Sequence, residues 1–214
     1  KRNIAKPVIS VVTQVRVDKE DPSFKKPSKP IGPFYTKEEA DAEAAKDGST
    51  YVEDAGRGYR KVVPSPMPKE IVEKEAVRAL VEADVLTICS GGGGIPVVAE
   101  DGQYVGVEAV NDKDFSARVL AENVDADRLI ILTGVDNIYI NYNQPDQKAL
   151  EQISVAEAEE YIKEGHFAAG SMLPKIEAAL DFVKGDDKRK AIITSIENLE
   201  NIDKEAGTVI SQKG

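Results

Sequence analysis

Cysteine and histidine are almost missing from this sequence. Its 214 residues include one Cys, Cys89, and one His, His166. A lone Cys forms no internal disulfide, which points to a reducing, cytoplasmic setting. One His with one Cys builds no His/Cys metal cluster, so no metal site made of protein side chains is expected. Mg²⁺ carried by a nucleotide is a separate matter, because it needs only oxygen ligands. No apolar run approaches bilayer length, so no membrane association is expected, and no signal-peptide pattern opens the sequence, which begins Lys1-Arg2-Asn3-Ile4 without a Met. Positive charge is also short: 28 Lys and Arg against 38 Asp and Glu leave a formal charge of −10. A phosphate-backbone binder needs a basic surface, so nucleic acid is not the expected partner. A small anion stays open, because a few lysines can converge in one pocket of an acidic protein.

The length suits one large domain or two small ones. With 41% hydrophobic and 31% charged residues, the composition is that of a globular protein with a core. Val8 to Val17 is rich in β-branched residues and predicts a strand. A Pro- and Lys-rich stretch follows, and Thr36-Lys37-Glu38-Glu39 forms a capping box for a helix ending near Gly48. A short strand is expected at Lys61 to Val63. Apolar spacing predicts a helix from Ile71 to Ala83. Val85 to Cys89 is a continuous apolar run, expected as a buried strand running into Ser90 and four glycines. Asp101-Gly102 predicts a hairpin between Pro96–Ala99 and Gln103–Val110. A helix at Asp114 to Asn123, a buried strand at Arg128 to Thr133 and a short strand at Asn137 to Asn141 follow. Helices at Val155 to Lys163 and Leu173 to Val183 come next, and strands at Lys190 to Thr194 and Gly207 to Ser211 close the chain. This alternation predicts an α/β fold, a three-layer αβα sandwich around a mainly parallel central sheet. Residues 18–62 break the rhythm and are expected to form a small inserted, protruding subdomain of a single domain covering 1–214.

Several segments could carry chemistry. Gly91, Gly92, Gly93 and Gly94 remove every side chain at a strand end, so backbone N–H groups can form a nest for an anion. No Gly-Lys-Ser/Thr follows, so this is not a P-loop; a tight strand-end turn is the plain alternative. Lys113 lies in a first helical turn, where a cation opposes the helix dipole unless an anion is near. Asp112 or Asp114 there could simply cap the helix. Lys175, just after Pro174, is a second lysine at a helix start, and Gly170 and Ser171 before it are expected to leave N–H groups free for an anion. Two such helix starts carry more weight than one. His166 alone is more simply a packing or surface residue. Thr133-Gly134-Val135-Asp136 follows a strand at the end where α/β sheets bind nucleotides, and Tyr139 could lie near a base. Lys29 in the long loop could reach over a site, and Arg57 between glycines suits a bidentate anion contact, although a solvated lysine and a structural ion pair fit as well.

Taken together and in order, these segments resemble the carbamate kinases of the amino acid kinase superfamily. The similarity lies in Val12-Thr13-Gln14-Val15, Lys29 to Phe34, Glu53 to Arg60, Val62 to Pro66, Cys89 to Pro96, Gly106 to Val110, Asp112 to Asp114, Ile131 to Asp136, Gly165 to Met172 and Pro174 to Ala179. The resemblance implies ATP or ADP with Mg²⁺, carbamate or carbamoyl phosphate as the other substrate, a role in arginine breakdown, and a homodimer. It implies that Lys113 and Lys175 neutralise the transferred phosphoryl group, with Asp114 orienting them and Lys29 reaching in from the subdomain. Gly91 to Gly93, with Arg57, would line the carbamate side. Thr133 to Asp136, Tyr139, Gly170, Ser171, Met172 and Lys175 would line the nucleotide side. The family's Gly-Gly-Asn loop and Gly-Asn-Gly-Pro segment have no counterpart here, so the expectation is an amino-terminally incomplete member, weakly active by itself. A kinase for another carboxylate, such as acetylglutamate, and a non-catalytic nucleotide-binding protein are the competing readings.

Overall fold

A computed structural model describes residues 5–54 and 56–214. The first four residues, and Ala55 within the Asp54 to Gly58 segment, lie outside the described part. The chain divides into two compact units, Lys1–Glu73 with Val85–Ser116, and Lys74–Asp84 with Ala117–Gly214.

In the first unit the strands are β1 (Val8–Ser10), β2 (Gln14–Arg16), β3 (Lys29–Tyr35), β4 (Tyr51–Glu53), β5 (Tyr59–Val63), β6 (Glu70–Ile71), β7 (Leu86–Ile88), β8 (Ile95–Glu100) and β9 (Gln103–Gly106), with helix α1 (Lys37–Asp47) after β3. A four-stranded sheet runs β6-β2-β8-β9; β2 and β8 are parallel, and the outer strands are antiparallel to them. Val15, Val17, Ile71, Val97 and Val98 form its buried apolar set. A separate antiparallel sheet, β3-β5-β4, carries α1. The start of α1 is set locally: the Thr36 hydroxyl accepts from Glu39 N, and the Glu39 carboxylate accepts from Thr36 N. Gly48 ends the helix in the left-handed region.

The second unit holds α2 (Lys74–Glu82), most of α3 (Lys113–Asn123), β10 (Arg128–Thr133), β11 (Ile138–Ile140), β12 (Lys148–Leu150), β13 (Gln152–Ser154), α4 (Val155–Lys163), α5 (Met172–Lys184), β14 (Lys190–Ser195) and β15 (Thr208–Ser211). Its sheet runs β10-β14-β15-β13, with β10 parallel to β14 and β13 parallel to β15. Helix α5 packs on this sheet through a buried stripe of Ile176, Ala179, Leu180 and Val183. The β11–β12 hairpin stands apart from the sheet order, and Thr208 anchors it: its hydroxyl accepts from Ile138 N at 2.8 Å and donates to the Leu150 carbonyl. The expected α/β character with parallel sheet elements is what the chain shows.

Three sequence expectations change. Val8 to Val17 is two strands in different sheets, because Thr13 intervenes. Its hydroxyl donates to Val11 O at 3.1 Å and accepts from Ser90 N at 2.9 Å, while its carbonyl accepts from Ile95 N at 2.8 Å. The Ile71 to Ala83 helix starts only at Lys74, because fully buried Ile71 pairs with Val15 in β6. The two runs expected as buried strands are open on one face. Leu86 and Ile88 of β7, and Ile130 and Leu132 of β10, are exposed, whereas Leu129 and Ile131 are buried. Hydrophobicity alone does not report which face of a strand is covered.

Candidate active site

In the first unit, β7 ends in a turn of unusual backbone. Ser90, Gly91, Gly93 and Gly94 all have positive φ. At Gly93, with φ +133°, a Cβ would lie 2.2 Å from the Asn111 carbonyl oxygen, so only glycine fits. Gly91 and Gly92 are exposed and a Cβ on either would meet nothing within 4 Å. The turn is fixed by Gly93 N donating to Ser90 O at 2.6 Å, and by Ser116 Oγ donating to Gly93 O at 2.8 Å. The glycines therefore sit against the first turn of α3. Among the described residues, the fully buried Asn111 carboxamide has no hydrogen-bond partner. A group left so costs about 1–3 kcal/mol, and such costs collect at functional sites.

Helix α3 begins at Lys113, and Asp112 caps it: Asp112 Oδ1 accepts from Asp114 N at 2.9 Å and its carbonyl accepts from Ser116 N at 3.0 Å. The other carboxylate oxygen of Asp112 accepts from Lys29 Nζ. Lys113 Nζ pairs with Asp114 Oδ1 at 2.7 Å. Both aspartates are buried, Lys113 is exposed and Lys29 half-buried. Burial pushes the Asp112 carboxyl up, but the hydrogen bonds from Lys29 and Asp114 N and the charges of Lys29 and Lys113 outweigh it and hold it below the usual carboxylate range. The result is two ammonium groups held by two buried carboxylates at a helix start beside a glycine turn. Lys29, expected in a loop, instead opens β3, so a sheet aims it. Asp112, considered above only as a cap, is the residue that fixes Lys29; an acid on each side of Lys113 was the available signal.

Arg57 does not stand ready for an anion. Its guanidinium pairs with Asp54 at 3.2 Å and lies 4.8 Å from the Phe34 ring centroid, with Arg60 on the same ring and the same carboxylate. The structural ion pair weighed above is the arrangement found. Burial pushes the Cys89 thiol up, which keeps it protonated and poorly nucleophilic.

In the second unit, a cavity of about 560 Å³ opens beyond the end of β10. Thr133, Gly134 and Val135 form one wall, Tyr139, Asn141, Tyr142 and Gln144 of the β11–β12 hairpin another, and Gly165 to Ala168 with Ser171 and Met172 a third. The Tyr139 and Tyr142 rings lie 5.8 Å apart, which gives the cavity an aromatic side. Thr133, Gly134, Val135, Tyr139, Ser171 and Met172 thus come together. Asp136 and Gly170 are not among the lining residues. Asp136 instead accepts from Ser195 Oγ at 2.5 Å and, through its carbonyl, from Thr194 Oγ1 at 3.2 Å, tying the loop after β10 to the end of β14. Sequence reasoning missed Asn141, Tyr142 and Gln144, which a hairpin fold-back brings in, and weighed His166 only as a packing or surface residue.

Of the two amide groups expected to be free before α5, that of Ser171 is taken. Ser171, Met172 and Leu173 N–H all donate to Ala168 O, at 3.2, 3.1 and 3.0 Å. Lys175 is half-buried in the first turn of α5, a turn with no acidic residue.

The sequence pattern of the amino acid kinase family matches residues 35–195. The carbamate kinase of Lentilactobacillus hilgardii is 54% identical over 214 residues, covering 99% of this chain and 67% of that protein. Carbamate kinase 1 of Enterococcus faecium is 56% identical over 214 residues, covering 99% and 68%. Among solved structures, the carbamate kinase from Giardia lamblia bound to AMP-PNP superimposes with a TM-score of 0.85 at 45% identity, covering 98% of this chain and 66% of that one. This chain therefore spans about two thirds of the length of these relatives.

Proposed function

The chain belongs to the carbamate kinases, within the amino acid kinase family, and from that premise we propose that it moves a phosphoryl group reversibly between ATP and carbamate, giving ADP and carbamoyl phosphate. The observation that carries the reading is the Lys29–Asp112 and Lys113–Asp114 arrangement beside the glycine turn. Phosphoryl transfer asks for positioning and for positive charge around a spread negative charge, with no protein nucleophile. Carbamate attacks through an oxygen, the bond from the γ-phosphorus to the bridging oxygen breaks, and ADP leaves with that oxygen; the reverse direction makes ATP. Lys113 and Lys175 would neutralise the moving group. Lys29 would do so from β3, with its ammonium steadied by Asp112. The glycine turn would face the carbamate with backbone alone, and the cavity lined by Tyr139 and Met172 would hold the nucleotide. Mg²⁺ would arrive with the nucleotide as part of the substrate, bound to phosphate oxygens. With this activity we also propose a cytoplasmic homodimer that works toward ATP in arginine breakdown.

The test follows ³¹P signals of carbamoyl phosphate, ADP and Mg²⁺ with the protein. Growth of the ATP β-phosphate signal as carbamoyl phosphate decays is expected, with acetyl phosphate inert. ATP formed equally from both donors would defeat the carbamate assignment, and phosphorylation of acetylglutamate by ATP would transfer it to another carboxylate kinase.

A further inference from the structure

His166 lies on the wall of the cavity in the second unit, between two elements that are far apart in sequence. Its Nδ1 accepts from the backbone N–H of Asn141, at 3.5 Å, and its Nε2 lies 3.0 Å from Glu164 Oε2. A carboxylate accepts only, so Nε2 carries the proton and Nδ1 is the bare nitrogen facing the hairpin. The ring is further held edge-on against Tyr161 of α4, with centroids 5.8 Å apart.

The other end of that contact is built to transmit it. Asn141 has φ +53°, and its side chain donates to Asp146 Oδ2 at 2.7 Å. Asn143 N donates to Gln147 Oε1 at 2.8 Å, and Gln144 N to Asn141 O at 2.9 Å. The tip from Asn141 to Gln147 is thus braced within itself, so fixing Asn141 fixes Tyr142 and Gln144, which face the cavity. The His166 contact joins this braced tip to the wall that leads into α5.

We propose that His166 is a positioning residue that latches the β11–β12 hairpin to the opposite wall of the nucleotide cavity, so that the cavity tightens around a base only while Asn141 N–H is held by Nδ1. This rests on the reading of that cavity as the nucleotide site. Glu164 at Nε2 and Tyr161 at the ring hold the imidazole so that Nδ1 faces Asn141.

The experiment measures adenosine binding by NMR titration at one pH for the unaltered chain, His166→Asn and His166→Phe, with thermal unfolding run in parallel to establish that each is folded. His166→Phe, which has no acceptor at that place, should bind roughly three- to tenfold more weakly, the weight of one neutral hydrogen bond. His166→Asn, whose Oδ1 can stand in for Nδ1, should restore the affinity of the unaltered chain. A folded His166→Phe that binds as tightly as the unaltered chain, or a His166→Asn that binds as weakly as His166→Phe, would overturn the latch. An unaltered chain that binds neither adenosine nor ADP would instead overturn the nucleotide reading beneath it.

Discussion

Replacing Asp112 should separate two roles that one carboxylate fills. One oxygen caps α3 through Asp114 N, and the other holds Lys29, which opens a strand of a different sheet. Asp112→Ala removes both. Loss of a cap costs about 1 kcal/mol, and loss of a hydrogen bond from a charged group costs about 1.5–3 kcal/mol, toward the low end here because Lys29 is half-exposed. The sum, about 2–3 kcal/mol, corresponds to a drop in Tm of about 5–10 °C for a chain of this length. Asp112→Asn keeps a capping oxygen and loses the charge, so it should fall between the two. The pH dependence follows from the direction of the shift. The folded carboxyl sits below its ordinary range, so its stabilisation is full above the unfolded value near ~3.9 and fades as pH falls through the folded one. The gap between the unaltered chain and Asp112→Asn should therefore be widest near neutrality and close in acid. Urea unfolding at several pH values measures this. Equal stabilities for all three proteins, or a gap that persists undiminished in acid, would refute the reasoning.

Other substitutions test neighbouring parts. Gly93→Ala places a Cβ 2.2 Å from Asn111 O at a positive φ, and should cost more than about 3 kcal/mol in urea unfolding, whereas Gly92→Ala, with open space around it, should stay within about 1 kcal/mol. Thr208→Val strips the buried hydroxyl from Ile138 N and Leu150 O, and should cost about 2–4 kcal/mol while loosening the hairpin, visible as faster amide exchange at Ile138. Lys175→Ala should lower turnover at least ~100-fold with an unaltered melting curve; turnover equal to that of the unaltered protein would remove Lys175 from the transfer step.

What the sequence announced was local chemistry. Thr36 with Glu39 closes a capping box, and α1 begins where that box puts it. Asp101 and Gly102 both take positive φ at the predicted hairpin. What it hid depends on partners distant in the chain. Ile71 has the spacing of a helix residue, yet it is drawn into a sheet by Val15, more than fifty positions away. Arg57 looks available until Asp54 and Phe34 are folded against it. The lysines at helix starts were legible because a cation there contradicts the helix dipole. Asp112 was not singled out for Lys29, because an aspartate before a helix already has a sufficient local explanation. The walls of the cavity were half legible: the turn after β10 has a sequence signature, but the hairpin tip and His166 meet only in the fold.

The central claim, phosphoryl transfer from carbamoyl phosphate by paired lysines, is tested most directly by the initial rate of ATP formation from carbamoyl phosphate, ADP and Mg²⁺, read by luciferase light output, for the unaltered chain and for Lys113→Ala. The account predicts ATP from carbamoyl phosphate and none from acetyl phosphate, with the rate falling at least ~100-fold in the variant. No ATP from the unaltered chain, or a Lys113→Ala rate equal to it, would contradict the account.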